Sequence, residues 1–324
     1  MAGPPSSRPG WFAVPAPVRE LFKLFPLTTL PPEALPERSP DDRSRARPRL
    51  YVFARTGEDA RNGRPSFNPQ CLKWQTFLRI AGVDVTLVPS NNHASPSGAL
   101  PFLLPPTTST PTPTPTSTPD KEPAKPASAS PAGNSAPSSI PLTGAKIHRY
   151  AKDHSTTDPS PDPAPSRTEA YEALLSQSLR PAWLYALYLH PSNTHLLKSL
   201  YLPPSPILHL PSLHALRDAA TAEILKTTRC PSSVSPPQLL AGAADALRAL
   251  SALLADADWF FGRPGPGLFD AEVFAYTWLI LDEAFGWADE CSLAPCLAKF
   301  ENLVSHRRRL YERCWPEAVV GASN

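Results

Sequence analysis

The placement of proline constrains this chain more than any other feature. There are 44 prolines in 324 residues, and each lacks the backbone donor needed inside a helix or a sheet ladder. From Pro105 to Pro137, 10 of 33 residues are Pro and 12 are Ser or Thr, with no Leu, Ile, Val or aromatic residue. Such a stretch has no apolar surface to offset the entropy of ordering, so 105–139 reads as a disordered insertion. A second spacer, 155–167, carries Pro159, Pro161, Pro163 and Pro165 and reads as a linker. The expected organisation is an N-terminal extension (1–48), a first domain (49–154) holding the insertion, the linker (155–167), an all-helical domain (168–316) and a tail (317–324).

Within the extension, Val18, Leu21, Phe22 and Phe25 recur at i, i+3, i+4 and i+7, so Pro17 to Phe25 predicts a short amphipathic helix. Leu50-Tyr-Val-Phe53 predicts a central strand. Asn68-Pro69 then opens a helix as cap and first turn, with Cys71, Trp74, Phe77, Leu78 and Ala81 on one face. After Gly82, Val83 to Val88 alternates as a second strand, completing a strand–helix–strand unit. Pro101, directly before the apolar run Phe102-Leu-Leu104, suggests a cis Leu100-Pro101 bond. A further helix carrying Ile147 and Tyr150 is expected before His154. Helical periodicity then predicts helices from Thr168 to His190, Pro191 to Tyr201, Ser212 to Thr228, Pro237 to Asp256, Leu268 to Gly286 and Pro295 to Arg313. The fifth is apolar on most sides and should be the central one.

This order of elements, with Gly267-Leu-Phe-Asp270 placing an acid at the third helical position, resembles the glutathione-transferase fold. The expected fold class is therefore an α/β thioredoxin-like N-terminal domain plus an all-α C-terminal domain. Three stretches are more specific: Cys71-Leu-Lys-Trp-Gln-Thr-Phe-Leu-Arg79, the loop Pro89 to Leu103, and Trp259-Phe-Phe-Gly262 ahead of Leu268-Phe-Asp-Ala-Glu-Val-Phe274. Together they resemble the metaxin family, and Leu21-Phe22 to Leu27 is similar to metaxin-like subunits of the fungal sorting and assembly machinery. The resemblance spans roughly 17–104 and 138–315. It implies a peripheral protein on the cytosolic face of the mitochondrial outer membrane. Its implied partners are the β-barrel subunit of that machinery, a second metaxin-like subunit and β-barrel precursor proteins. No catalytic step and no cofactor is implied.

Composition narrows the alternatives. With 31 Lys and Arg against 29 acids the net charge is +2, too little for the broad field that draws proteins to nucleic acid. Cys71, Cys230, Cys291, Cys296 and Cys314 are odd in number and contain no Cys-x-x-Cys, which argues for a reducing compartment and against a disulfide framework or structural zinc. No apolar run approaches the roughly 20 residues that span a bilayer. Prolines at 4, 5, 9, 15 and 17 are incompatible with an amphipathic presequence helix.

Each candidate site has a structural alternative. Cys71 occupies the position where a helix dipole would activate a thiol, yet Asn68 stands where a redox motif needs the outer thiol. Transferases hold the glutamyl end of glutathione with an acid or Gln and a Ser before the next helix, and Pro137-Ser-Ser-Ile140 lacks the acid. Trp74, Asn91, Asn92, His93 and Pro101 are the candidate partner-binding residues, with turn chemistry the competing role for the two asparagines. His190, His195, His209 and His214 pair at a spacing of five, which does not place two imidazoles on one helix face. His306-Arg307-Arg308-Arg309 reads as a solvated helix end, with an anionic lipid or acidic partner as the sharper alternative. A non-catalytic binding protein is expected. The competing classes are a glutathione-dependent transferase and a cytosolic transferase-like scaffold.

Overall fold

A computed structural model describes residues 46–106, 140–157, 165–202, 206–228, 233–288 and 293–317. The expected helix at 17–25, most of the insertion, Cys230 and Cys291 lie outside the described residues.

The first domain is built on a three-stranded sheet of order β2-β1-β3. β1 (Arg49–Val52) is central: Leu50 faces Leu87 of parallel β2 (Thr86–Pro89) on one side and Leu103 of antiparallel β3 (Phe102–Leu104) on the other. Apolar side chains on both faces suit β1 to that position, and Leu50, Tyr51 and Val52 are buried. Between β1 and β2 run a short α1 (Gly57–Arg61) and the twelve-residue α2 (Pro69–Ile80). The Leu100-Pro101 bond before β3 is cis. Past the insertion, a fourth strand survives as one residue: Leu142 exchanges both backbone hydrogen bonds with Leu103 at 2.8 Å. α3 (Ala145–Asp153) then buries Ile147, Tyr150 and Ala151.

The second domain opens with α4, helical over 165–189, in which π turns occupy Leu175–Leu179 and Tyr185–Leu189. Pro181 explains the first of these: it has no N–H to donate, and a wider turn before it draws carbonyls away from its ring. α5 (Thr194–Tyr201), α6 (His209–Thr228) and α7 (Pro236–Leu254) follow. α7 buries Leu239, Ala243, Ala246, Leu247, Leu250 and Leu254, a 3-4 stripe facing its neighbours. α8 (Leu268–Leu281) is the central helix, apolar nearly all round and packed along α2.

Three predicted helices are divided: the expected 191–201 helix is a 3-10 turn, Pro191–Asn193, followed by α5. The expected 268–286 helix ends at Leu281, because Asp282 is extended and its side chain accepts from Ala284 N at 3.1 Å to cap a separate turn. The expected 295–313 helix is α9 (Ala294–Leu297) and α10 (Glu301–Cys314), separated by a turn at 298–300.

Between the domains, Lys73 of α2 and Glu272 of α8 form an ion pair of 2.7 Å at 14% and 12% side-chain exposure. Arg79 reaches Gly63 O, Cys314 O and Glu317, and lies over the Trp315 ring. Trp315 itself donates to Gly63 O at 2.8 Å. Among the described residues no helix is long and apolar enough to cross a membrane.

Candidate functional site

In a thioredoxin-like domain the start of the first long helix is the natural place for chemistry, because its free N–H groups attract negative charge. Here that start is α2. The Asn68 side chain accepts from Gln70 N at 3.0 Å and Cys71 N at 3.3 Å, which uses those donors internally. Its Nδ2 donates to the Tyr201 hydroxyl at 3.2 Å. Tyr201 arrives from α5 of the helical domain and meets Phe53 and Phe67 edge-on, with ring centroids 5.3 Å apart in both pairs. Burial, with the adjacent Tyr188 hydroxyl, holds the Tyr201 phenol well above the ordinary tyrosine range.

Cys71 lies one turn inside. It is fully buried, and burial pushes its thiol up to about 12 despite hydrogen bonding from the Phe53 backbone and Ser66. Ser66 Oγ donates to Phe53 O at 2.6 Å, and buried Gln75 holds Ser66 N, Gly63 O and Arg64 O. Ser66 and Gln75 are thus engaged in fixing the loop that leads into α2.

The polar loop after β2 is ordered by its own side chains. Asn91 accepts from His93 N at 2.8 Å to cap a turn over Asn92–Ala94, and Asn92 Oδ1 accepts from Leu100 N at 3.0 Å. Asn92 thereby sits beside the cis Leu100-Pro101 bond while remaining exposed, as does His93; Pro101 is buried. Trp74 is placed elsewhere, 8% exposed in α2, edge-on to Phe77 and 5.5 Å from the Lys73 ammonium. The five predicted site residues therefore divide into a loop group and a separate aromatic position.

The helix that follows the fourth strand opens at Ala145, with Gly144 at its cap and no side-chain capping bond. The stretch comparable with the transferase glutamyl-binding pair is therefore Thr143-Gly144 rather than 137–140. Neither residue carries a carboxylate, although Thr143 offers a hydroxyl. With Cys71 buried and the Asn68 side chain committed, this stretch offers the glutamyl end of glutathione no acid or Gln.

In the His306–Arg309 run Arg308 is solvated as expected, but the other three residues are engaged. His306 is fully buried, its Nε2 3.0 Å from Asp270 Oδ1 and its ring edge-on to Trp259 and Phe260. Arg307 lies 4.2 Å over Trp278, and Arg309 pairs with Asp258. The signal was present: Leu303, His306, Leu310 and Cys314 follow a 3-4-4 spacing that puts the histidine on the apolar stripe. Asp270 accepts from Phe260 N at 3.0 Å and Gly267 N at 2.9 Å and stands 3.5 Å from Arg263.

One cleft between the domains has no local sequence signal. It encloses about 290 Å³ beside Arg55, Arg64, Phe67, Trp278, Asp282 and Phe285. Arg55 donates to Phe285 O at 2.8 Å across its mouth, and burial raises the Asp282 carboxyl. Among the described residues no group of three or more His, Cys, Asp or Glu converges as a metal site.

Comparison with known proteins agrees with the topology. The glutathione S-transferase N-terminal domain matches residues 69–119, and the glutathione S-transferase C-terminal domain matches 243–310. A search of curated proteins returns no match. Among solved structures, an apo glutathione S-transferase III is similar at 15% identity, with 85% of this chain and 96% of that chain covered and a TM-score of 0.45. A β-etherase from Sphingobium sp. is similar at 14% identity over 82% and 94%, TM-score 0.44. Glutaredoxin 2 from Salmonella typhimurium, in complex with glutathione, gives 14% over 82% and 94%, TM-score 0.42. The chain has a glutathione-transferase-like fold, with a small mixed sheet in a thioredoxin-like N-terminal domain and a helical C-terminal domain.

Proposed function

We propose that this chain is a non-catalytic binding subunit of the metaxin type. In this reading it sits peripherally on the cytosolic face of the mitochondrial outer membrane, contacts the β-barrel subunit of the sorting and assembly machinery together with a second metaxin-like subunit, and receives β-barrel precursors. The observation that carries it is the closed helix start. Asn68, Tyr201 and the buried Cys71 occupy the position where transferase or redox chemistry would be done, and their commitment to one another supports a binding role on a shared fold. The three sequence stretches that resemble metaxins supply the partner class.

Binding is then differential. β2 forms one edge of the sheet and presents a backbone row to which an extended precursor strand can add. Release follows when barrel pairing offers the strand a better neighbour. A photocrosslinker at exposed Asn92 should label precursors in proportion to the integrity of their terminal strand; labelling indifferent to that strand would sink this mechanism.

The deciding experiment for the reading as a whole is affinity capture of tagged full-length protein from gently solubilised mitochondria of its native host. Recovery of a β-barrel outer-membrane subunit in stable proportion supports it. Capture from cytosol without a barrel partner returns the field to a scaffold. A glutathione-dependent transferase is the second reading, favoured by the two matched domains. It predicts retention on immobilised glutathione and elution by free glutathione.

A further inference from the structure

The corner where α5 gives way to α6 presents large apolar side chains to solvent. A 3-10 turn, Pro206–Leu208, runs directly into α6, and Ile207, Leu208 and Leu210 are 54%, 40% and 77% exposed. The same helix buries Leu213, Ala220 and Ile224, so its inner face is already served and the outer group is surplus to folding. Aliphatic residues clustered in this way mark a contact surface.

The sequence around the corner is poor in acids. No Asp or Glu occurs between Glu172 and Asp218, whereas Arg180, Lys198 and Arg217 do. Arg180 is paired with Glu223, and Arg217 turns inward to Tyr188 O and Thr194 Oγ1. Lys198 has no ion pair among the described residues, and His195 and His214 are exposed. Asp218, the first acid after the corner, is paired with His214 at 2.9 Å.

The size of the patch separates the two kinds of occupant. Three partly exposed aliphatics offer on the order of 300 Å² of apolar surface, against ~800 Å² per partner in a standard protein interface. That is too little to hold a protein alone. It suits a bilayer, where apolar insertion and headgroup attraction add.

We infer that residues 207–214 form a membrane-contact tip. Ile207, Leu208 and Leu210 enter the acyl boundary of an anionic bilayer, while Lys198 meets its headgroups. The inference rests on the peripheral attachment proposed above but not on which protein partner is held.

Full-length protein is to be sedimented with protein-free vesicles of phosphatidylcholine, with and without phosphatidylserine. Binding is expected to favour the phosphatidylserine vesicles and to weaken as salt is raised. The double variant Ile207→Ser/Leu210→Ser should lower the partition coefficient roughly tenfold or more, and Lys198→Gln about fivefold. All sites lie at the surface, so the thermal midpoint should not move. Ile140→Ser, at another strongly exposed aliphatic (59%), should leave partitioning unchanged. Wild-type protein that fails to sediment with phosphatidylserine vesicles overturns the inference, as does a double variant that binds like wild type. Vesicle binding by a chain that captures no barrel subunit upholds the tip and removes the proposed function; capture without vesicle binding does the reverse.

Discussion

Two helix starts, those of α2 and α8, lie in helices packed against each other and solve one problem in different ways. At α8 the cap is a carboxylate with no solvent exposure: Asp270 takes two backbone N–H groups, is compensated by Arg263 and lies 3.0 Å from His306 Nε2. At α2 the cap is a neutral amide, Asn68, which takes two N–H groups and passes a hydrogen bond on to Tyr201. The dipole is present at both. What differs is the charge placed on it, and a full charge gains the most from a dipole. Cys71 shows which effect wins. A helix start is worth at most ~2 kcal/mol to a thiolate, whereas raising the thiol from 9.0 to about 12 corresponds to about 4 kcal/mol against ionisation. Position on a helix does not make a nucleophile when desolvation opposes it with greater force.

The most disruptive way to break the comparison is Asp270→Ala. It removes two backbone acceptors and leaves Arg263 and His306 buried without their acid, so a loss of about 3–5 kcal/mol is expected, read as a lower urea midpoint. Asp270→Asn should cost less, because one carbonyl oxygen still caps. Tyr201→Ala acts on the other start. It takes the ring away from Phe53 and Phe67 and opens the corner above Asn68, with a loss of about 3 kcal/mol, the low end for a large aromatic that is only half-buried. If this variant gains retention on immobilised glutathione, the closed helix start is a plug over a working site, and the binding-subunit reading loses its main support.

The thiols sharpen the contrast through pH. Cys71 and Cys314 are both pushed up to about 12, each chiefly by burial. Below pH 9 the folded and unfolded chains alike carry these protons. Between about 9 and 12 only the folded form retains them, so stability falls as pH rises through that window, by up to ~1.4 kcal/mol per pH unit for each thiol. Denaturation at pH 8, 9 and 10 measures the slope. Thiol labelling at pH 8 should reach Cys71 only after unfolding; prompt labelling of the native protein means the helix start is open.

How much of this was readable beforehand follows from what each feature depends on. β1, α2, β2 and the helical half rest on local periodicity and caps, and Asn68-Pro69, Gly82 and Leu50-Tyr-Val52 announce them within a few residues. The cis Leu100-Pro101 bond was legible from a proline standing directly before an apolar run. The single-residue fourth strand at Leu142 was not, because one bridge leaves no alternation to detect. Nor was the break at 298–300, where no Gly or Pro interrupts the pattern. Tyr201 is the most consequential omission. It lies 133 residues from Asn68, and only the packed fold brings the two together. The loop at Asn91–His93 was legible as turn chemistry, while the Asn92 bond to the Leu100 N–H depended on tertiary placement.

The smallest expected effect tests whether the Asn68–Tyr201 link matters beyond the cap. Asn68→Ala removes the acceptor for Gln70 and Cys71 N–H, which typically costs ~1 kcal/mol, and also removes the donor to Tyr201. Tyr201→Phe keeps the ring and removes only the hydroxyl, at a cost of about 1 kcal/mol. If the 3.2 Å hydrogen bond fastens the helical domain to the start of α2, the double variant should be less destabilised than the sum of the singles by roughly 0.5 kcal/mol or more. Strict additivity would mean that the two groups merely share a place, that the rings alone close the corner, and that Asn68 serves α2 without reference to the second domain. Coupling would instead make this asparagine the residue through which one domain senses the seating of the other, a role open to a neutral cap with a spare donor and closed to the carboxylate at α8.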